Sequence, residues 1–511
     1  MMKASLLSLC FLSLLTSAEA KLVQILHTND THSFLDKTNH DKEVGGSARL
    51  KSLMDSYKES ARNQGIETIA LDGGDFLEGN IYYMADQGQK SFEVHNQVGY
   101  DAVVIGNHDY LMGAKHLDKI LGNLDLNFTF LGANVISGSK FPNIRDKIKP
   151  YKELVVAGMK VAILGLTTSD FFFSWSLEDS TIVSPYKVAK DYEQVLKERK
   201  NDFIIALTHI GVNRDIRLAS KTNYIDLIVG GHSHTALTEP MYEDNKRKIP
   251  VPIVQSGFHT KYLGRIIVDM TPGQALRVVS YELVPVTNQV EDNAVKSMVA
   301  EADDSLDTLY GKEWLNEVIG FSDLKESDHS GSRKWAYFIS DALREKAEAD
   351  IAIHVSSMNG ENYPIGPISR RDVMNSIPRV FELNETQGWS IYTSKVSGYL
   401  LKIMCESLAY FGQPISFSGI TIEWVKTPFG VKIAKARVNG KKINPFKTYK
   451  VAFTEGIIRG AIEISPKTKA ILRQHKKTPF KIWQTLEEKI EKDNNSFAKV
   501  TEDNHAFYFP E

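Results

Sequence analysis

Val103-Val104-Ile105-Gly106-Asn107-His108-Asp109 is the stretch on which the reading of this chain turns. An apolar run breaks off at a glycine and is followed at once by an amide, an imidazole and a carboxylate. That is the signature of a strand covered on both faces, with polar chemistry at its end. The same pattern recurs along the first half of the chain. Asp30-Thr31-His32 follows Leu22–Leu26, and Gly74-Asp75 follows Thr68–Leu71. Thr208-His209 ends the run from Phe203, and Gly231-His232-Ser233-His234 follows Leu227–Val229. Carboxylates, an amide and imidazoles together supply enough ligands for two metal ions. A two-metal centre implies hydrolysis of a phosphate ester or a close relative of one.

Between the strand candidates, which include Thr129–Leu131 and Val161–Leu166, lie helical stretches such as Ser47–Gln64 and Tyr186–Lys200. Alternation of this kind predicts a layered α/β domain. In such sheets the binding crevice lies outside the carboxyl ends of the strands, so residues far apart in sequence gather there. Asp30 and His32 are expected on one face because they lie two residues apart at the end of an extended segment. Asp75 follows two glycines, where the backbone can turn sharply, and its two oxygens make it the candidate to bridge two ions. Asn107, His209, His232 and His234 complete the set. Imidazole with carboxylate suits zinc, manganese, cobalt or iron better than calcium.

A lone histidine near a strand end is more often structural than a ligand, and Asp and Asn are common in turns. It is the ordered series of five motifs that points to metal. His27 reads as a packed core residue inside the first strand, and His259 by default as a structural one.

The bulk numbers set the frame. With 511 residues the chain suggests two or more domains. A net charge of -2 gives no argument for a nucleic-acid polymer or a membrane surface as partner. Lys3, the apolar run Ala4–Leu15 and Ala18-Glu19-Ala20 read as a secretory leader cut after Ala20, too short to anchor in a membrane. Its removal leaves Cys405 as the only cysteine, so no internal disulfide is expected. A periplasmic or secreted protein is the plain reading. The N-x-Ser/Thr triplets at Asn29, Asn127, Asn384 and Asn494 are taken as chance.

Val295, Met298, Val299, Ala302, Leu306 and Leu309 recur at helical spacing and predict one amphipathic helix between two domains. Beyond it, the helix Lys334–Glu348 and the strands Ile351–Val355, Ile420–Trp424 and Tyr449–Phe453 predict a second α/β region. The expected organisation is a leader over 1–20, a catalytic domain over 21–288, a linker helix over 289–317 and a second domain over 318–511.

The run Ile25-Leu26-His27-Thr28-Asn29-Asp30-Thr31-His32, the segment Gly45-Gly46-Ser47-Ala48-Arg49-Leu50 and the stretches around Asp75, Asn107, His209 and His232 resemble the 5′-nucleotidase family of the calcineurin-like metallophosphoesterases. The resemblance implies a β-sandwich flanked by helices and a smaller α/β domain that holds the substrate. It implies one ion on Asp30, His32, Asp75 and His234, and another on Asp75, Asn107, His209 and His232. It makes His108 the catalytic histidine, which would stabilise or protonate the leaving group while a metal-activated hydroxide attacks phosphorus. The expected activity is hydrolysis of a nucleotide phosphomonoester to nucleoside and phosphate. The alternatives are a non-nucleotide ester, a cyclic phosphodiester or a thiosulfate-type substrate, or a metal-binding surface protein without catalysis.

Two departures stand out. The family commonly carries an aspartate three residues after the catalytic histidine, to orient the ring; Leu111 stands there. In the second domain, Ser340-Asp341-Ala342-Leu343, Ile377-Pro378 and Phe417-Ser418-Gly419-Ile420 echo the family, but the base pocket does not. Ser356–Glu361 lacks the loop arginine, and Glu455–Ala461 lacks the expected aspartate and aromatic. Arg370, Arg371, Arg379 and Arg459 read as surface or locally paired residues, and Trp389, Tyr392, Phe411 and Phe417 as core before stacking partners. No substrate contact is assigned.

Overall fold

The computed structural model describes residues 20–38, 44–170, 176–322, 333–361, 365–380, 387–410, 414–428, 430–464, 472, 474–493 and 505–508. Residues 1–19 of the expected leader lie outside them, as do Phe411, Asn384 and Asn494.

Alternation of side chains along strands builds the first half. Val23, Ile25, Ile69, Leu71, Ala102 and Val104 point one way and meet Val161, Ile163, Phe203, Ile205, Leu207, Leu227 and Val229 from a second sheet. The residues between them point outward. Leu26, Ala70 and Val103 pack under the helices Ser47–Asn63, Gln89–Val98 and Ala114–Asn123. Ala162, Leu164, Ile204, Ala206 and Ile228 pack under Pro185–Glu198 and Val212–Lys221. The result is a β-sandwich with helices on both outer faces. Full burial of each such Val, Leu or Ile contributes about 1.5–3 kcal/mol.

The first sheet has seven strands, in the order 277–285, 262–269, 22–28, 67–72, 102–104, 129–131, 148–149. The second has six, in the order 241–244, 250–254, 227–229, 203–209, 159–167, 151–156. Leu22–Thr28, Glu67–Asp72, Ala102–Val104 and Thr129–Leu131 run parallel, as do Met159–Thr167, Phe203–His209, Leu227–Val229 and Pro250–Val254. Parallel strands end at the same edge, so every motif of the series leaves the sandwich on one side. The antiparallel strand Tyr262–Asp269, beside Leu22–Thr28, has no counterpart in the sequence reading; Gly264 and Arg265 interrupt its apolar alternation.

Asp292 caps the helix Asn293–Tyr310 by accepting from the Val295 N–H at 2.9 Å. Val295, Val299, Ala302 and Leu306 are buried as expected, whereas Leu309 is 49% exposed because the helix ends one residue later, at Tyr310. The second half holds a six-stranded sheet in the order 476–481, 390–397, 448–454, 351–355, 415–418, 505–508 and a three-stranded sheet over 420–442. One apolar cluster runs from the outer face of the first sheet through Val295 and Leu306 to Trp335, Ile368 and Trp483, so the two halves share a core. None of the described helices is long and apolar enough to cross a membrane.

Candidate metal centre

The expected residues are brought together by strained backbone. Asp30, His32, Asp75, His232 and His234 all have positive φ, between 50° and 80°. Non-glycine residues in this region cost of order 1–3 kcal/mol each and persist only where the surroundings hold them. Asp30 and His32 therefore share the site through this turn and not through strand alternation, which corrects the reason for their pairing. Two glycines make room. Gly74 adopts φ +85°, and a Cβ at Gly106 would collide with the Asp75 carboxylate.

Among the described residues, three groups offer ligand atoms within 4.8 Å of one another: Asp30 with His32 and His234, His32 with Asp75 and His108, and Asp75 with His209 and His232. His32 Nε2 lies 3.0 Å from His234 Nε2 and 3.8 Å from Asp30 Oδ1. His234 Nε2 lies 3.4 Å from the same Asp30 oxygen. On the other side, His209 Nε2 lies 3.0 Å from Asp75 Oδ2, and His232 packs its ring 5.0 Å from that of His209. Asp75 Oδ2 is also 4.0 Å from His32 Nε2, which puts Asp75 between the two groups. Asn107 Oδ1 is buried and accepts no hydrogen bond among the described residues. Asp30, His32, Asp75, His108, His209, His232 and His234 thus fall into neighbouring groups, and Asn107 is the one expected ligand for which only an unpaired, buried oxygen speaks.

The surroundings suit a cation. His209 Nδ1 faces the Gly73 carbonyl at 2.7 Å and His32 Nδ1 faces the Glu78 carbonyl at 2.8 Å. Donation to these carbonyls turns both Nε2 atoms inward as lone-pair donors, the arrangement of histidines that hold metals. Asp30 is steadied by the His232 N–H at 2.9 Å and the Asn29 amide at 2.6 Å. Burial alone would raise Asp75, yet His209 and His108 beside it hold its carboxyl well below the usual range. Burial alone would lower His209, yet Asp75 raises it. Imidazoles, carboxylates and an orphaned amide oxygen fit one or more divalent ions. His259 lines the wall: it is half-buried, stacked 3.6 Å from Phe34, with its ring 5.9 Å from that of His32.

His108 begins a short 3-10 turn over His108–Tyr110, and its N–H donates to Asp75 Oδ1 at 2.7 Å. Asp109 points away from it. Its carboxylate accepts from the N–H groups of Gly106, Asp75, Phe76 and Leu77 and pins the Asp75 loop to the Asn107 loop. The ring of His108 nevertheless has a carboxylate partner: Nδ1 lies 2.5 Å from Glu78 Oε2. The sequence reading missed Glu78, whose only signal was an acidic residue three positions beyond Asp75 in a loop destined for the interior. Glu78 is in turn paired with Arg379, which is 5% exposed and 301 residues further along the chain. Arg379 is thus neither a surface nor a locally paired residue; Ile377 to Val380 lead from the end of the helix Arg370–Ser376 into the first half, where only an acid could receive a buried guanidinium.

Of the other arginines only Arg459 is paired locally, as expected, whereas Arg370 and Arg371 reach acids far along the chain. Arg370 pairs with Glu317 and Glu487, Arg371 with Asp303, and Arg459 with Glu455 on its own helix. Trp389 and Phe417 are buried in the second-half core, and Tyr392 is half-buried in the strand Ser390–Ser397.

Known proteins agree with this architecture. Residues 23–236 match the family described as calcineurin-like phosphoesterase, and residues 318–466 match the 5′-nucleotidase C-terminal domain. The chain is 27% identical to protein UshA of Yersinia enterocolitica over 84% of each protein. It is 27% identical to the trifunctional nucleotide phosphoesterase protein YfkN of Bacillus subtilis, over 74% of this chain but only 27% of that much longer protein. The fold superposes on a 5′-nucleotidase precursor from Thermus thermophilus with a TM-score of 0.78, at 22% identity, over 93% of this chain and 97% of the other. The chain belongs to the 5′-nucleotidase family of the calcineurin-like metallophosphoesterases.

Proposed function

We propose that the protein is an exported phosphomonoesterase that uses two divalent ions and acts on a nucleotide. The observation that carries this reading is the convergence of Asp30, His32, Asp75, His209, His232 and His234 into groups whose ligand atoms lie within 4.8 Å, joined through Asp75. Asp30, His32, Asp75 and His234 would hold one ion. Asp75, Asn107, His209 and His232 would hold the other. When bound, such a pair supplies Lewis acidity toward the phosphoryl oxygens and activates water.

The chain's own residues do the rest. The ordered His32 and His209 rings and the Asp30 carboxylate keep the ligand atoms in place before substrate arrives. His108, engaged at Nδ1 by Glu78, serves the leaving oxygen through Nε2 and delivers a proton there. Cleavage of the P–O bond to the leaving group then gives an alcohol and phosphate. Export rests on the leader pattern over residues 1–20.

The altered loops Ser356–Glu361 and Glu455–Ala461 favour a second reading of the substrate: a small phosphate ester that is not a nucleotide. Phosphate release by the manganese-, cobalt- or zinc-loaded protein, measured over 5′-nucleotides, sugar phosphates and diesters, separates the two. Selective turnover of 5′-nucleotides is expected. Turnover of sugar phosphates or diesters alone would assign a different substrate, and no release despite bound metal would leave a metal-binding protein.

A further inference from the structure

The turn that carries His108 offers its ring no carboxylate three residues on, where Leu111 stands. The backbone at Leu111 still curls back on the histidine, with the Leu111 N–H 3.4 Å from the His108 carbonyl. In a 3-10 turn the side chains at i and i+3 eclipse, so a carboxylate at 111 would stand over the ring. Leucine cannot hydrogen-bond to it. Glu78 meets the same ring from a different loop, at 2.5 Å from Nδ1, and its side chain is only 3% exposed. Its backbone is left-handed, with φ 47°, and its carbonyl takes the His32 ring N–H at 2.8 Å. One residue therefore touches both the proposed catalytic histidine and a proposed metal ligand. Arg379 closes the assembly from the second half. Its guanidinium pairs with Glu78 Oε2, its Nε donates to the Met358 carbonyl at 2.7 Å, and Nη1 lies 3.3 Å from His108 Nδ1.

We infer that Glu78 is the positioning residue for His108, standing in for the missing carboxylate at 111, and that Arg379 fixes Glu78 in that role from the second half of the chain. The inference rests on the phosphomonoesterase reading. A carboxylate at Nδ1 fixes the tautomer and the plane of the ring and leaves Nε2 aimed at the leaving group. The Glu78 carboxylate, held by the Arg379 guanidinium, is placed to accept from the ring N–H. A merely structural role would make Glu78 a glue between the halves, indifferent to where the ring's carboxylate comes from.

Relocating the carboxylate tests this. Glu78→Gln should lower kcat on an aryl phosphate by about 10²-fold, with KM changed less than about threefold and bound metal retained. Adding Leu111→Asp to Glu78→Gln should restore at least about tenfold of kcat. A second readout needs neither metal nor turnover. In metal-free, 15N-histidine-labelled protein, the low-field ring proton that His108→Ala abolishes should vanish in Glu78→Gln and return in the double variant. Should Glu78→Gln unfold because Arg379 is stranded, the same measurements are made on Glu78→Gln/Arg379→Met, with and without Leu111→Asp. Wild-type kcat and an unchanged ring proton in Glu78→Gln would overturn the inference. So would a folded, metal-bound variant that Leu111→Asp rescues in neither readout. If the wild type hydrolyses no ester, the functional reading fails while the ring proton still decides the role of Glu78.

Discussion

In the first half of the chain, the residues that meet at the metal centre leave the ends of parallel strands within a few positions. Among the described residues, the second half reaches the same site through Arg379, carried on the segment after a short helix. The first half departs from the family pattern at one decisive place, Leu111. The second departs at several, in Ser356–Glu361 and Glu455–Ala461. The difference follows from geometry. Strand ends are fixed by a buried sandwich, so a ligand there has one possible place. Loops that frame a substrate are fixed by few contacts and can be rebuilt without cost to the fold.

The sharpest way to break this comparison is Asp75→Ala. Because Asp75 stands between both ligand groups, its loss should reduce phosphate release by at least about 10⁴-fold and lower the metal content measured by elemental analysis. A variant with full activity would remove the metal reading from the first half. His108→Ala should cost about 10²–10⁴-fold in kcat while bound metal is unchanged. Equal loss of metal would recast His108 as a ligand, which its place in one of the ligand groups makes a real alternative.

Arg379→Met tests the second half's part. It leaves the buried Glu78 carboxylate with the His108 ring as its remaining partner, and should lower stability by up to about 3–5 kcal/mol in denaturant titration. Lys197→Met, which breaks an exposed pair with Glu193 on one helix, should cost less than about 1 kcal/mol by the same measurement. If the two variants behave alike, Arg379 does not join the halves.

The last effect is spread over a range of pH and not concentrated in one step. His27 is fully buried against Tyr281 and the backbone of Gly264, and burial pushes its ring down to about 3. The unfolded ring titrates near about 6.5. Between these values the unfolded state holds a proton that the native state lacks. Stability from this group is therefore complete above pH about 6.5 and falls by up to about 1.4 kcal/mol per unit as pH drops toward 3. His27→Leu should flatten the stability profile over that window relative to wild type, read by urea titration at pH 4 to 7.

The metal site was legible because each ligand lay beside a strand whose apolar run marked its end, and because Gly73-Gly74, Gly106 and Gly230-Gly231 flagged sharp turns. The strands Thr129–Leu131, Leu227–Val229 and Ile351–Val355 have the bounds read from their apolar residues. Tyr262–Asp269 was not legible, because a glycine and an arginine break its pattern while hydrogen bonds to Leu22–Thr28 hold it in the sheet. Glu78 and Arg379 were not legible either. An acidic residue in a loop and an arginine after a helix carry no local mark of their partners.

By itself the sequence determined the layered α/β fold and the family, and it pointed to the residues from which the candidate centre is built. These follow from local periodicity and from motifs only a few residues long. Only the tertiary structure decided that the His108 ring takes its carboxylate from Glu78 and that Arg379 secures it from across the molecule. A buried charge is costly until a partner meets it, and which partner does so depends on how two halves pack, a fact that no single stretch of chain contains.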